Sequence, residues 1–126
     1  MVGEVIRFNF RGGKVMKVFI SQPMRGLTNT QIKEQRDEAI RYVSERYDEE
    51  VEVIDSFFEN APANVKPLWY LAKSLELMST ADLCLFIGDW YRYRGCMIEF
   101  SCAQQYGYQC DYFNAFTNKE DRKSVV

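Results

Sequence analysis

The segment Asp82-Leu83-Cys84-Leu85-Phe86-Ile87-Gly88 constrains the fold of this chain more than any other. Its apolar run is short for a helix and does not alternate with polar residues, the pattern of a strand buried on both faces in a parallel sheet. Such a strand needs helices above and below it, and the flanking sequence supplies them. Val15-Met16-Lys17-Val18-Phe19-Ile20-Ser21 is β-branched and aromatic and breaks at Gln22-Pro23-Met24-Arg25-Gly26, which predicts a first core strand and a loop. Thr28-Asn29-Thr30-Gln31 has the form of a capping box, with Leu27 and Ile32 placed as a hydrophobic staple around it. From there Ile32, Ala39, Ile40, Val43 and Tyr47 recur on one helical face. Val51-Glu52-Val53-Ile54-Asp55 reads as a second strand and Asn60-Ala61-Pro62-Ala63-Asn64 as part of the loop after it. Pro67 suits the first turn of a second helix with the stripe Leu68, Leu71, Ala72, Leu75 and Met78. A third helix runs from about Gly95 to a glycine cap near Gly107, and Gln109-Cys110-Asp111-Tyr112-Phe113 forms a fourth core strand.

Strand and helix alternate throughout, which predicts an α/β fold with a doubly wound parallel sheet, a flavodoxin-like or Rossmann-like three-layer arrangement with four core strands. Before this core, Val5 to Phe10 alternates and Arg11-Gly12-Gly13 turns, so residues 1–14 read as an appended edge strand or an oligomer arm. The polar segment from Thr117 reads as a frayed tail. A chain of 126 residues suits one hydrophobic core, here about residues 15–113, and so a single domain.

Composition narrows the chemistry. With no histidine, Ser-His triads, imidazole acid/base work and histidine metal ligation are excluded, and carboxylates must carry any proton transfer. Cys84, Cys96, Cys102 and Cys110 contain no C-x-x-C pair, so buried thiols are expected and no metal site is assigned. A formal charge of -2 without a basic run argues against nucleic acid, and small molecules are the expected partners. No apolar run approaches bilayer length and no signal-peptide core precedes the first strand, so no membrane partner and a cytoplasmic location are expected.

Doubly wound sheets bind ligands at the carboxyl ends of their strands. Ser21 to Gly26, Asp55-Ser56 and Gly88 to Gly95 all fall there. Glu99 lies about one turn inside the third helix, on one face with Cys102, Ala103 and Tyr106. The helix N-terminus favours its ionised form, which is what attack on an anomeric carbon requires; the alternative is a carboxylate bound to a neighbouring loop or subunit. Asp89 follows the central strand, either to protonate a departing base or activate water, or as a simple turn aspartate. Arg25 offers a bidentate anion contact or is a surface arginine, and Arg94-Gly95 offers a guanidinium beside free backbone amides. Trp90, Tyr91 and Tyr93 suit either base stacking or a subunit interface. Arg36, on the apolar stripe of the first helix, reads as a snorkelling side chain.

The run Lys17 to Gly26 and the run Trp90 to Glu99, with Ala103 and Tyr106-Gly107, resemble an uncharacterised family common in bacteria and their phages that is similar to the nucleoside 2-deoxyribosyltransferases and their nucleotide-hydrolase relatives. The likeness spans roughly Lys17 to Cys110. It implies that Glu99, in the spacing E-x-x-x-A-x-x-x-G with Ala103 and Gly107, attacks C1′ of a nucleoside, and that Asp89 assists the leaving base. It implies ligand contacts from Phe19, Ser21, Gln22, Pro23, Met24, Arg25, Gly26, Asp55, Trp90, Arg94 and Gly95, no cofactor, and a homodimer or higher oligomer. Two positions depart from the pattern. Phe19 stands where the family has a tyrosine, and Tyr91-Arg92-Tyr93-Arg94-Gly95 replaces a short acidic turn. The expected activity is therefore cleavage or transfer of the N-glycosidic bond of a nucleoside or nucleoside monophosphate, the extra arginines suiting a phosphorylated ligand; the alternative is a nucleotide-binding protein without turnover.

Overall fold

A computed structural model describes residues 4–6 and 15–114. Its elements are β1 (Glu4–Ile6), β2 (Val15–Ser21), α1 (Asn29–Tyr47), β3 (Glu50–Val53), α2 (Pro67–Met78), β4 (Leu83–Ile87), α3 (Arg94–Gln105) and β5 (Cys110–Phe113). The expected turn at Arg11-Gly12-Gly13 and the tail from Thr117 lie outside the described residues.

The strands form one sheet in the order β1-β3-β2-β4-β5. β3, β2, β4 and β5 are mutually parallel, and β1 adds an antiparallel edge through Glu4 opposite Val53 and Ile6 opposite Val51. The expected four-strand doubly wound core with an N-terminal edge strand is the observed architecture. β2 pairs with both β3 and β4, so the chain leaves β2 in one direction and returns on its other side. The carboxyl ends of β2 and β4 therefore flank the switch point where such sheets hold ligands.

Side-chain alternation explains why the sequence around β4 is apolar without a break. Leu83, Leu85 and Ile87 join Val18, Ile20, Ala39, Ile40 and Val43 beneath α1, whereas Cys84 and Phe86 join Phe19, Met78 and Ala103 beneath α2 and α3. All five β4 residues are buried, and each large apolar one contributes about 1.5–3 kcal/mol.

Local signals set the helix ends. Thr28 Oγ1 accepts from the Gln31 amide at 3.1 Å and Gln31 Oε1 accepts from the Thr28 amide at 2.9 Å, the reciprocal capping box. At the C-terminal end of α3, Gly107 takes φ +77° and its amide donates to Gln104 O at 3.3 Å, while the Tyr108 amide donates to Ala103 O at 2.8 Å. That pair of bonds is a Schellman motif, and glycine supplies its left-handed residue without a Cβ clash. Asp111 ties the sheet edge to α1 by accepting from Tyr47 Oη at 2.9 Å and pairing with Arg46 Nε at 3.1 Å.

Three expectations change. β3 ends at Val53, one turn of pleat before Asp55, although the Ile54 amide still donates to Val18 O at 2.9 Å. On α2 only Met78 is fully buried, and Leu68 is 72% exposed, because the helix meets the sheet through its C-terminal half. On α3 the inward stripe is Cys96, Glu99 and Ala103, and Tyr106 is 80% exposed because the helix has already ended beneath it.

Candidate functional site

Glu99 projects from α3 into a cavity of about 290 Å³ at the carboxyl end of β2. Helical side chains lean toward the N-terminus, so a glutamate one turn into α3 reaches back to the strand ends. Ser21, the last residue of β2, donates its hydroxyl to Glu99 Oε1 at 2.6 Å. Both are buried, at 1% and 8% exposure, so the bond is shielded from water. A hydroxyl-to-carboxylate bond this short belongs to the strong, charge-assisted class.

Burial pushes the Glu99 carboxyl above the ordinary glutamate value. The Ser21 and Ser74 hydroxyls and then the positive charge of Arg36 pull it back without cancelling the shift. The compensation expected for an inward carboxylate is present, but desolvation outweighs it.

Behind the Glu99 wall lies a polar network that fixes the first loop. Arg36 is buried, not snorkelling: its Nε donates to Gln22 Oε1 at 2.9 Å and a terminal nitrogen donates to Ser56 Oγ at 2.9 Å. The Gln22 amide nitrogen donates to Ile32 O and to Gln35 Oε1, each at 3.1 Å. Ser56 in turn donates to Ile20 O at 3.4 Å. These bonds join α1 to the ends of β2 and β3.

The structure brings together part of the expected set. Phe19, Gln22, Met24, Gly95 and Glu99 line the cavity, and Ser21 holds the carboxylate. Pro23 is half-buried beside them, off the wall. Arg25 and Gly26 are exposed at the loop tip, where Gly26 takes φ +83° and the Leu27 amide donates to Met24 O at 3.1 Å. Asp55 lines a neighbouring cleft of about 940 Å³. Asp89, Trp90 and Arg94 lie on neither wall. The carboxylate of Asp89 faces Arg92 at 3.7 Å. Trp90 packs into an aromatic cluster with Phe100 at 4.7 Å and Phe86 at 5.2 Å between ring centres, so its ring covers β4.

Ser56, at the expected strand end, also lines the cavity, whereas sequence reasoning missed Phe57, Phe58, Tyr70 and Ser74 on its wall. The aromatic pair after β3 was the available signal, since two adjacent phenylalanines in a loop need cover. Cys96 also lines the cavity, and burial raises its thiol to about 11. The thiol is therefore neutral near pH 7 and a poor nucleophile. Among the described residues no cluster of three or more cysteine, aspartate or glutamate side chains is placed to hold a metal ion, and no helix is long and apolar enough to cross a membrane.

No protein-family model matches the chain, and no curated protein matches its sequence.

Proposed function

We propose that this protein cleaves or transfers the N-glycosidic bond of a nucleoside or nucleoside monophosphate, with Glu99 as nucleophile. The buried Ser21–Glu99 bond inside a cavity at the switch point carries the reading. A carboxylate held by a hydroxyl has its attacking geometry set before the ligand arrives, which lowers the entropic part of the barrier.

In the proposed reaction a carboxylate oxygen of Glu99 forms a bond to C1′ as the C1′–N bond breaks. The electron pair leaves with the base nitrogen, which takes a proton from water. The glycosyl ester is then opened by water or by the nitrogen of a second base, restoring the carboxylate. The cavity volume of about 290 Å³ suits a small ligand, at the lower end of the roughly 300–1,000 Å³ typical of such sites. Neither Arg25 nor Arg94 lines it, so the geometry favours the unphosphorylated nucleoside.

A second reading, ligand binding without turnover, draws on two observations. Asp89 faces Arg92 and lies off the wall, and the Glu99 carboxyl is shifted toward its neutral form. The test is base release from a panel of nucleosides and monophosphates by the parent protein, Glu99→Ala and Glu99→Gln. Release by the parent that both variants abolish supports the catalytic reading. An absence of release from every member, with calorimetric binding retained, rejects it in favour of the binding protein.

A further inference from the structure

Two helices set the depth of the Glu99 cavity. α2 and α3 begin at Pro67 and Arg94, both at the carboxyl ends of the strands. Glu99 and Ser74 lie at one depth, with the Ser74 hydroxyl acting on the Glu99 carboxyl. Nearer the helix starts, four residues back, stand Gly95 on α3 and Tyr70 on α2, and both line the cavity. Four residues of helix rise about 6 Å. The cavity therefore has two levels on the same side of Phe57 and Phe58. One is a carboxylate floor; one turn above it, Tyr70 supplies a ring and Gly95 supplies no side chain.

The upper level is aromatic. Phe58 meets Tyr70 with ring centres 6.3 Å apart and planes at 39°. Trp69 braces both from the neighbouring cleft, at 5.9 Å from Phe58 and 5.2 Å from Tyr70. Tyr70 keeps 39% exposure, so ring area is left for a ligand. The polar side chains nearby are engaged within the protein. Gln22 donates to Ile32 and Gln35 and accepts from Arg36, and Ser56 accepts from Arg36 and donates to Ile20 O. A wall of this kind reads the face of a flat ring and not the hydrogen-bonding pattern on its edge.

The spacing matches the proposed displacement. An attacking oxygen stands about 3–3.5 Å from the carbon it attacks. The bond to the leaving base points away from that oxygen, so the base ring starts one bond past C1′ and reaches the level one turn up. We infer that the Phe58–Tyr70 rings form the base subsite, with the sugar below them at Glu99, and that the base is selected as a planar, uncharged heteroaromatic ring, amino-bearing and oxo-bearing bases alike. This rests on the proposed N-glycosidic site for what the base is joined to.

Calorimetry with free bases reads the subsite without turnover. Adenine, hypoxanthine and benzimidazole are flat bicyclic rings that differ in their edge groups, and they are expected to bind within about threefold of one another. Tyr70→Ala should weaken all three by at least about fivefold, which corresponds to about 1 kcal/mol, the lower end for a stacked base. Tyr70→Phe keeps the ring and should stay within about twofold of the parent, as should Trp69→Phe, whose residue lines the cleft and not the cavity. A wider spread among the three bases, binding by none of them, or a smaller loss in Tyr70→Ala overturns the assignment. So does a loss in Tyr70→Phe or Trp69→Phe as large as that in Tyr70→Ala. Should Tyr70→Ala melt early, Tyr70→Leu removes the ring while keeping bulk, and the same loss is expected of it. If the bases bind in this pattern but no nucleoside releases its base, the catalytic reading fails alone. If base is released but the pattern is absent, the subsite fails alone.

Discussion

Replacing Ser21 by alanine removes one oxygen from the protein and isolates the contribution of the shortest bond to Glu99. The hydroxyl is 1% exposed and lies 2.6 Å from Glu99 Oε1, so water does not replace it. A hydrogen bond to a charged group contributes about 1.5–3 kcal/mol, whereas one to a neutral group contributes about 0.5–1.5 kcal/mol. At pH 7 Ser21→Ala should therefore cost about 2 kcal/mol. The sign of the pH dependence follows from the charge state. The hydroxyl favours the ionised carboxyl, so without it the Glu99 midpoint moves further above the ordinary glutamate value, and the folded state gains from protonation at a higher pH. Below the ordinary glutamate range Glu99 is neutral in both proteins, and the cost should fall to about 1 kcal/mol. Urea denaturation at pH 7 and pH 3.5, with equal m-values in the two proteins, reads the difference. A cost below about 0.5 kcal/mol at pH 7, or one that is the same at both pH values, would refute the view that the Ser21 hydroxyl stabilises a buried charge.

Other substitutions probe the surroundings. A Cβ at Gly95 meets nothing within 4 Å, and the residue lines the Glu99 cavity; Gly95→Ala should stabilise α3 by about 0.5–1 kcal/mol while raising KM for the proposed base release, a split visible in paired melting and kinetic measurements. Tyr47→Phe removes the 2.9 Å donor to Asp111 and should cost about 1 kcal/mol in urea denaturation at pH 7. Burial, then Asp111, raises Tyr42, and burial also raises Tyr47 against the pull of Arg46. Their contribution is therefore complete below the ordinary tyrosine value of about 10 and is lost as pH climbs through the raised folded values, so Tyr47→Phe should flatten that alkaline loss. Burial raises Cys84 to about 12 and Cys96 to about 11, so iodoacetamide at pH 8 should leave both unmodified in the native protein and label them after denaturation, as read by peptide mass spectrometry.

The fold was legible because its signals are local or periodic. The Thr28–Gln31 box, the glycine at position 107 and the unbroken apolar run of β4 each depend on a few adjacent residues, and each appears where the pattern places it. Glu99 was legible for the same reason, since helical spacing marks it as an inward carboxylate. Periodicity says which face of a helix turns inward, but not how much sheet lies beneath it. The stripe on α2 therefore overstated the burial of Leu68 and Ala72. Arg36 was misread for a related reason: the partners that make its burial tolerable, Gln22 and Ser56, arrive from two different strand ends. The second wall of the site, from Phe57 to Ser74, is built by a loop and a helix whose positions no local pattern encodes.

Gln22 spends its side-chain oxygen and nitrogen on Arg36, Ile32 and Gln35, all within the protein. The root of the first loop is thereby anchored, whereas Arg25 and Gly26, three and four residues on, stand in solvent. Mutational freedom along this short segment is accordingly graded. Substitutions at the tip can alter what approaches the cavity mouth without moving Ser21, but a change at Gln22 takes a hydrogen bond from a buried guanidinium and is felt from α1 to β3 at once.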